Sequence, residues 1–290
     1  MHGHTVADRV TKLTGREATR ATALGGSHAW TAFRVELADG TPLFVKALPE
    51  AREDGFSGLF QTEALGLDWL GRPAESLVPD VVAWDSHTLV LSWVEERPPT
   101  PRAAEILGRR LADMHTAGAG FFGAERDGFI GPLPLDNTPT ADWPRFYAER
   151  RLAPYLRRAT DRGALTPVDA RVVEKVIDSV EDLAGEPEPA ARIHGDLWSG
   201  NVLWQEGDAV LVDPAAHGGH RETDLAMLAL FGLPHLDRVR DSYNEVAPLA
   251  AGWRQRIALH QLHPLLVHVS LFGAAYRTTT MDAARAALRV

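Results

Sequence analysis

Apolar and polar residues alternate with period two through residues 29–37: Trp30, Ala32, Arg34 and Glu36 fall on one side, Phe33, Val35 and Leu37 on the other. That period predicts a half-buried strand. Asp39-Gly40 is a hairpin signal, and residues 42–48 return as a second strand with Lys46 near the end of the apolar run Leu43-Phe44-Val45. Upstream, residues 4–14 read as a short opening helix and 19–24 as a strand broken by Gly25-Gly26-Ser27. Downstream the period changes. Phe56, Leu59, Phe60, Ala64, Leu67 and Leu70 recur at helical spacing until Gly71 and Pro73, with Glu63 beside the stripe. Two more strands, 81–84 and 88–94, flank a turn at Asp85-Ser86.

Residues 95–101, Glu-Glu-Arg-Pro-Pro-Thr-Pro, continue neither a helix nor a ladder and mark a boundary. Beyond it helical spacing dominates: 103–115, 143–159, 167–183, 223–231, 235–245, 250–276 and 281–288. One hairpin, 202–204 with 209–212, interrupts them. Strands first, then helices around one hairpin, predicts an α+β protein of two lobes. The N-terminal lobe spans residues 1–95 and the larger C-terminal lobe 96–290.

Composition changes this picture little, but it removes several classes of function. The 290 residues suffice for one large domain or two lobes. A balance of 30 basic against 39 acidic side chains, net −9, argues against nucleic acid or an anionic membrane as partner. With no cysteine, disulfides, thiolate metal sites and thiol catalysis are excluded. Met1-His2-Gly3-His4-Thr5 lacks the basic and apolar regions of a signal peptide. The late apolar stretch 264–276 is shorter than the ~20 residues of a membrane span. A cytoplasmic protein is expected, and the sequence carries no sign of its oligomeric state.

Chemistry concentrates in Ile193-His194-Gly195-Asp196-Leu197-Trp198-Ser199-Gly200-Asn201, followed by Leu211-Val212-Asp213-Pro214. A phosphotransferase needs one carboxylate to accept or orient a hydroxyl proton, and an amide oxygen and a second carboxylate to hold a metal against ATP phosphates. Asp196, Asn201 and Asp213 have that order and spacing, that of the kinase H-R-D-x-x-x-x-N and D-F-G motifs. Lys46 on its strand and Glu63 on the next helix supply the pair that orients phosphates. Gly25, Gly26 and Ser27 stand where a loop would cover those phosphates with backbone N–H groups. The backbone at Ser92 and Val94, just before the proline-rich boundary, is the candidate edge for adenine. Trp198 is a candidate wall for the acceptor, His194 a loop-orienting residue, and Asp224 a scaffold for the loop backbone. None of the twelve histidines forms a spaced zinc motif, so Mg²⁺ with ATP is the coherent choice.

With these residues in view, the chain resembles the fructosamine kinase (ketosamine-3-kinase) family, relatives of aminoglycoside and choline kinases. The resemblance runs through Leu24-Gly25-Gly26, Phe44-Val45-Lys46, Phe129-Ile130-Gly131, Asn137, Trp143, Phe146 and the stretch His194–Asn201 with its Trp198. It continues through Asp213-Pro214-Ala215, Gly219-His220-Arg221-Glu222, Asp224-Leu225-Ala226, Phe231-Gly232 and Pro264–His268 to Phe272-Gly273. Ser27, Gly128, Leu135, His217 and Gly218 depart from the family's usual residues. The resemblance implies a protein-kinase-like fold and ATP-dependent phosphorylation of a ketosamine 3-hydroxyl, on a small amine or on a protein, which promotes deglycation. It also implies a sugar pocket built from Trp198, His220, Glu222 and His268. Two alternatives stay open at this point: an aminoglycoside- or choline-type phosphotransferase of the same fold, and a nucleotide-binding pseudokinase.

Overall fold

A computed structural model describes residues 3–26, 30–49, 56–73 and 77–289. The chain begins with α1 (Gly3–Thr14), β1 (Ala18–Gly26), β2 (Thr31–Leu37), β3 (Pro42–Ala47), α2 (Leu59–Gly71), β4 (Val81–Trp84) and β5 (Thr88–Ser92). The five strands form one antiparallel sheet in the order β1-β2-β3-β5-β4. The period-two pattern explains it: Phe33, Val35, Leu37, Leu43 and Val45 all point to one buried layer beneath α1, with Val6 and Val10.

The remainder is mostly helical: α3 (Pro101–Thr116), the hairpin β6 (Gly128–Ile130) with β7 (Leu133–Leu135), then α4 (Trp143–Phe146). Next come α5 (Ala153–Asp161), α6 (Pro167–Asp178), α7 (Val180–Leu183), β8 (Ala191–Ile193), β9 (Val202–Gln205) and β10 (Asp208–Leu211). β11 (His217–Gly219), α8 (Glu222–Leu230), α9 (Leu236–Val246), α10 (Trp253–Phe272) and α11 (Arg277–Ala287) close the chain. Thr100 caps α3 through the Ala103 N–H, with Pro101 at its first position. The predicted helix 143–159 is in fact α4 and α5 joined by a π-helical turn, Tyr147–Leu152. The predicted helix 167–183 breaks at Ser179 into α6 and α7.

The β6–β7 hairpin and the pairing of β8 with β11 lie outside the sequence reading. Both are three-residue pairings too short to show a period. They matter because β8 leads directly into the candidate catalytic loop, and β11 follows the segment that carries Asp213.

The apolar core does not stop at residue 95. Phe60, Leu67, Leu89 and Leu91 pack in one cluster with Leu107, Leu111, Leu211 and Tyr243. α3 lies closely on α9 because Gly108 has no side chain: a Cβ there would overlap Ser242 Oγ and the Val239 carbonyl. We expect Gly108→Ala to cost about 1–3 kcal/mol, seen as a lower urea midpoint at unchanged slope.

The late apolar stretch is longer than its sequence suggests. The helical run Trp253–Ala287 is long and apolar enough, by length and composition, to cross a membrane. In this fold it is a core helix: Leu259, Leu262 and Leu266 are fully packed among α5, α6 and α11 residues, and Arg256 is ion-paired within the same half.

Candidate active site

Lys46 is the pivot of the site. β3 carries it inward, where only 1% of the residue is exposed, and its Nζ meets Glu63 Oε1 at 2.5 Å and Asp213 Oδ1 at 2.7 Å. The ring of Trp30 lies 4.5 Å from the same ammonium. Burial alone would lower the lysine's pKa, but the charges of Asp213 and Glu63 outweigh it and hold the ammonium above its ordinary value. Burial pushes Glu63 the other way, up to about 7 against the pull of Lys46, with Asp213 adding to the rise.

Asp213 adopts φ 57°, a left-handed conformation rare outside glycine. Asn201 Nδ2 donates to the Asp196 carbonyl at 2.8 Å, which leaves the amide oxygen of Asn201 free to face the cleft. The loop between β8 and β9 is held from behind. Asp224, fully buried, accepts the N–H groups of His194 at 2.7 Å and Gly195 at 2.9 Å, and His115 Nε2 lies 3.1 Å away. His194 accepts the Asp196 N–H on Nδ1 at 3.3 Å, so its Nε2–H donates to the Val212 carbonyl at 2.9 Å. Burial keeps this imidazole below its usual pKa, hence neutral and structural. Asp196 itself is pushed up to about 7 by burial, then by the charges of Asp213 and Asp224, with the Asn201 hydrogen bond opposing.

These residues open on a cleft of 1060 Å³. Lys46, Glu63, Asp196, Asn201 and Asp213 all line it, and so do Trp198 and His268. Trp198 is 38% exposed, folded over Gly200, where any side chain would overlap its ring. Phe231 supports Trp198 edge-on at 6.1 Å, stands 5.1 Å from His268, and continues the aromatic wall to Tyr276 at 6.4 Å. Phe231, noted in the sequence only within the family resemblance, and Tyr276 were not expected at the site, because they act through the rings of Trp198 and His268.

Other expected site residues lie elsewhere. His220 and Glu222 do not line the cleft; both are buried inside the helical half. The Glu222 carboxylate takes both Nε and Nη2 of Arg256, at 2.9 and 2.5 Å, and His260 stands 3.4 Å away. His220 packs against Trp143 and His260 at 4.9 and 4.7 Å. The three side chains His220, Glu222 and His260 come within 4.8 Å of one another. The guanidinium already matches the carboxylate's charge, so the group reads as a core ion pair walled by neutral rings. The sugar-pocket expectation for these two residues is therefore replaced by a scaffolding place.

The Ser92 N–H donates to the Asp80 carbonyl and the Ser92 hydroxyl accepts the Asp80 N–H, both at 2.9 Å, so that backbone donor is taken. Val94, past the end of β5, has no backbone hydrogen-bond partner among the described residues. Gly25 and Gly26 end β1, and a Cβ on Gly26 would press on the Trp30 carbonyl at 2.8 Å. Ser27 lies outside the described residues. Of the departures from family pattern, Gly218 faces the Phe121 carbonyl where a side chain would collide, and His217 fills the space beside Phe146 at 5.7 Å.

A lysine clamped by a helix carboxylate and a left-handed aspartate, facing a second aspartate and an amide, is a phosphotransfer site. The fructosamine kinase family model matches residues 3–289. The chain belongs to the fructosamine kinase family. A solved structure assigned as a fructosamine-3-kinase from Thermobifida fusca is 69% identical and superposes with a TM-score of 0.97, covering 100% of both chains. A Synechocystis protein assigned as a ketoamine kinase is 35% identical over 262 residues, 88% of this chain and 86% of its own. The chloroplastic protein-ribulosamine 3-kinase of Arabidopsis thaliana is 32% identical over 235 residues, 77% of this chain and 70% of its own. The choline kinase LicA of Streptococcus pneumoniae, 14% identical with a TM-score of 0.66 over 99% of each chain, shares the fold. The protein-kinase-like fold of this fructosamine kinase family member is thus in place, with its sheet-rich first lobe and helical second.

Proposed function

We propose that the chain is an ATP-dependent kinase of ketosamines that phosphorylates their 3-hydroxyl. The observation that carries this reading is Lys46 held between Glu63 and Asp213 on the cleft that Asp196, Asn201 and Trp198 also line. Lys46 holds the ATP phosphates, and Glu63 fixes the ammonium in place. The free backbone at Val94 takes the adenine edge. Asp196 orients the 3-hydroxyl and accepts its proton. The hydroxyl oxygen forms a bond to the γ-phosphorus as the bond to the ADP oxygen breaks. Asn201 and Asp213 offer hard oxygen donors suited to Mg²⁺. That ion, when bound, neutralises charge on the transferring phosphoryl group. Trp198 and His268 give the acceptor its apolar wall.

Residues 1–95 and 96–290 act as the nucleotide and acceptor lobes, and the cytoplasm, where ATP is plentiful, is the proposed place of action. The 3-phosphate destabilises the adduct and frees the amine. The test is turnover of fructosyl-lysine, ribulosyl-lysine, kanamycin and choline with ATP and Mg²⁺, with the product phosphate located by NMR. We expect phosphate on O3 of the two ketosamines. Phosphate confined to kanamycin or choline would overturn the reading.

A further inference from the structure

A guanidinium spans the gap between the helix that carries Glu63 and the strand that leads to Asp196. Arg192 lies on β8, four residues before Asp196. Its Nη1 donates to the Trp69 carbonyl at 2.8 Å and its Nε to the Gly118 carbonyl at 2.9 Å. The Trp69 ring centroid stands 4.9 Å from the same guanidinium. Local sequence leaves both carbonyls in need of a donor. Trp69 is in the last turn of α2, and its helical donor would be the N–H of residue 73, a proline that has none. Gly118 stands two residues past the end of α3. Arg192 therefore closes the carbonyl ends of two helices at once, where positive charge is favoured. Its rigid planar fork suits that double task, which the single charged point of a lysine does not.

The elements joined here carry the two halves of the chemistry. Glu63, six residues before Trp69 and about 9 Å along α2, holds Lys46. Gly66, between them, lies so close to the Asp213 segment that a Cβ would stand 3.1 Å from the side chain of Ala216. On the other side, β8 runs straight into the Asp196 loop, and α3 carries His115, whose Nε2 is 3.1 Å from Asp224 behind that loop.

We propose that Arg192 is a positioning residue for phosphoryl transfer: by tying the end of α2 to β8 and α3, it keeps Lys46 and Glu63 aligned with Asp196. It acts through two backbone carbonyls. The inference rests on the kinase reading of the site and adds what holds its nucleotide half against its acceptor half. Without the tie, each half keeps its own substrate contacts and only their mutual alignment is lost. The loss then falls on kcat, because alignment counts in the transition state and little in the binding of either substrate.

The experiment measures kcat and the KM values for ATP and fructosyl-lysine, with Mg²⁺, in the full chain carrying Arg192→Leu, at a temperature where circular dichroism shows it folded. We expect kcat about 10–100-fold lower, the scale on which misplaced reacting groups are felt, with both KM values within about threefold of the unaltered chain. Arg192→Lys keeps the charge and one donor, so it should recover part of kcat; it also serves as the test if the leucine variant does not fold. Adding Pro73→Ala to Arg192→Leu gives the Trp69 carbonyl a helical donor but no tie to β8. That pair should regain melting temperature and stay low in kcat. With the unaltered chain active, normal kcat in Arg192→Leu, or in Arg192→Lys where that variant serves as the test, would overturn the proposal. A raised KM for fructosyl-lysine at unchanged kcat would overturn it too, making Arg192 an acceptor contact. Recovery of kcat on adding Pro73→Ala would reduce Arg192 to a helix cap. Failure of the unaltered chain to phosphorylate fructosyl-lysine or ribulosyl-lysine would remove the kinase reading, and this role with it.

Discussion

Asp196→Asn should lower kcat about 10²–10⁴-fold, the usual scale for loss of a positioned base, while ATP still binds. Steady-state rates with a ketosamine and a separate nucleotide titration check both halves. Near-normal kcat would take Asp196 out of its role. The same substitution should not weaken the fold, and the reason is electrostatic. Asp196 is raised to about 7 by burial and by the charges of Asp213 and Asp224. A carboxyl raised above its unfolded pKa costs the fold nothing at pH values below the unfolded value. The cost grows as pH rises between the two values and is complete above about 7. Asn carries no such charge. Without nucleotide or divalent cation, the variant should therefore gain more in melting temperature at pH 8 than at pH 5. A loss at pH 8 would contradict the buried-charge account.

Asp224→Ala should be the most damaging change to the catalytic loop. Burial alone would raise the Asp224 pKa, but the hydrogen bond and charge of His115, with His194 and the Gly195 N–H, hold it below the usual range. Its two oxygens satisfy two buried backbone N–H groups and one imidazole. Truncation strands all three, at about 1–3 kcal/mol for each unsatisfied group, so the total should reach about 3–5 kcal/mol. Chemical denaturation measures that loss. Because the freed N–H groups belong to residues adjoining Asp196, kcat should fall under conditions where the variant is fully folded. A variant with unchanged denaturation midpoint would show that the loop is held by something else.

The sheet and its hairpins were legible because their pattern is local: period two through 29–37, then Asp39-Gly40. The pairing of Lys46 with Glu63 was legible because the order of strand and helix carries it. The Lys46–Asp213 contact was not, since 167 residues separate the two and only the folded chain brings them together. His220 and Glu222 mislead for a related reason. Sequence shows polar side chains near the catalytic segment, and only the fold shows that they turn away from the cleft toward Arg256 and Trp143. The breaks inside 143–159 and 167–183 leave the apolar spacing almost unchanged, so periodicity passes over them.

The clamp on Lys46 has a thermodynamic consequence. One ammonium stands between two carboxylates, with Asp196 nearby, so the folded pocket holds more negative than positive charge. ATP brings several negative charges more and competes with Asp213 for the same ammonium. A cation held by Asp213 would release Lys46 to the phosphates, so each would tighten the other's hold by the same factor. Nucleotide and cation should therefore enter as one neutralised unit, and removal of either should loosen the other to the same degree.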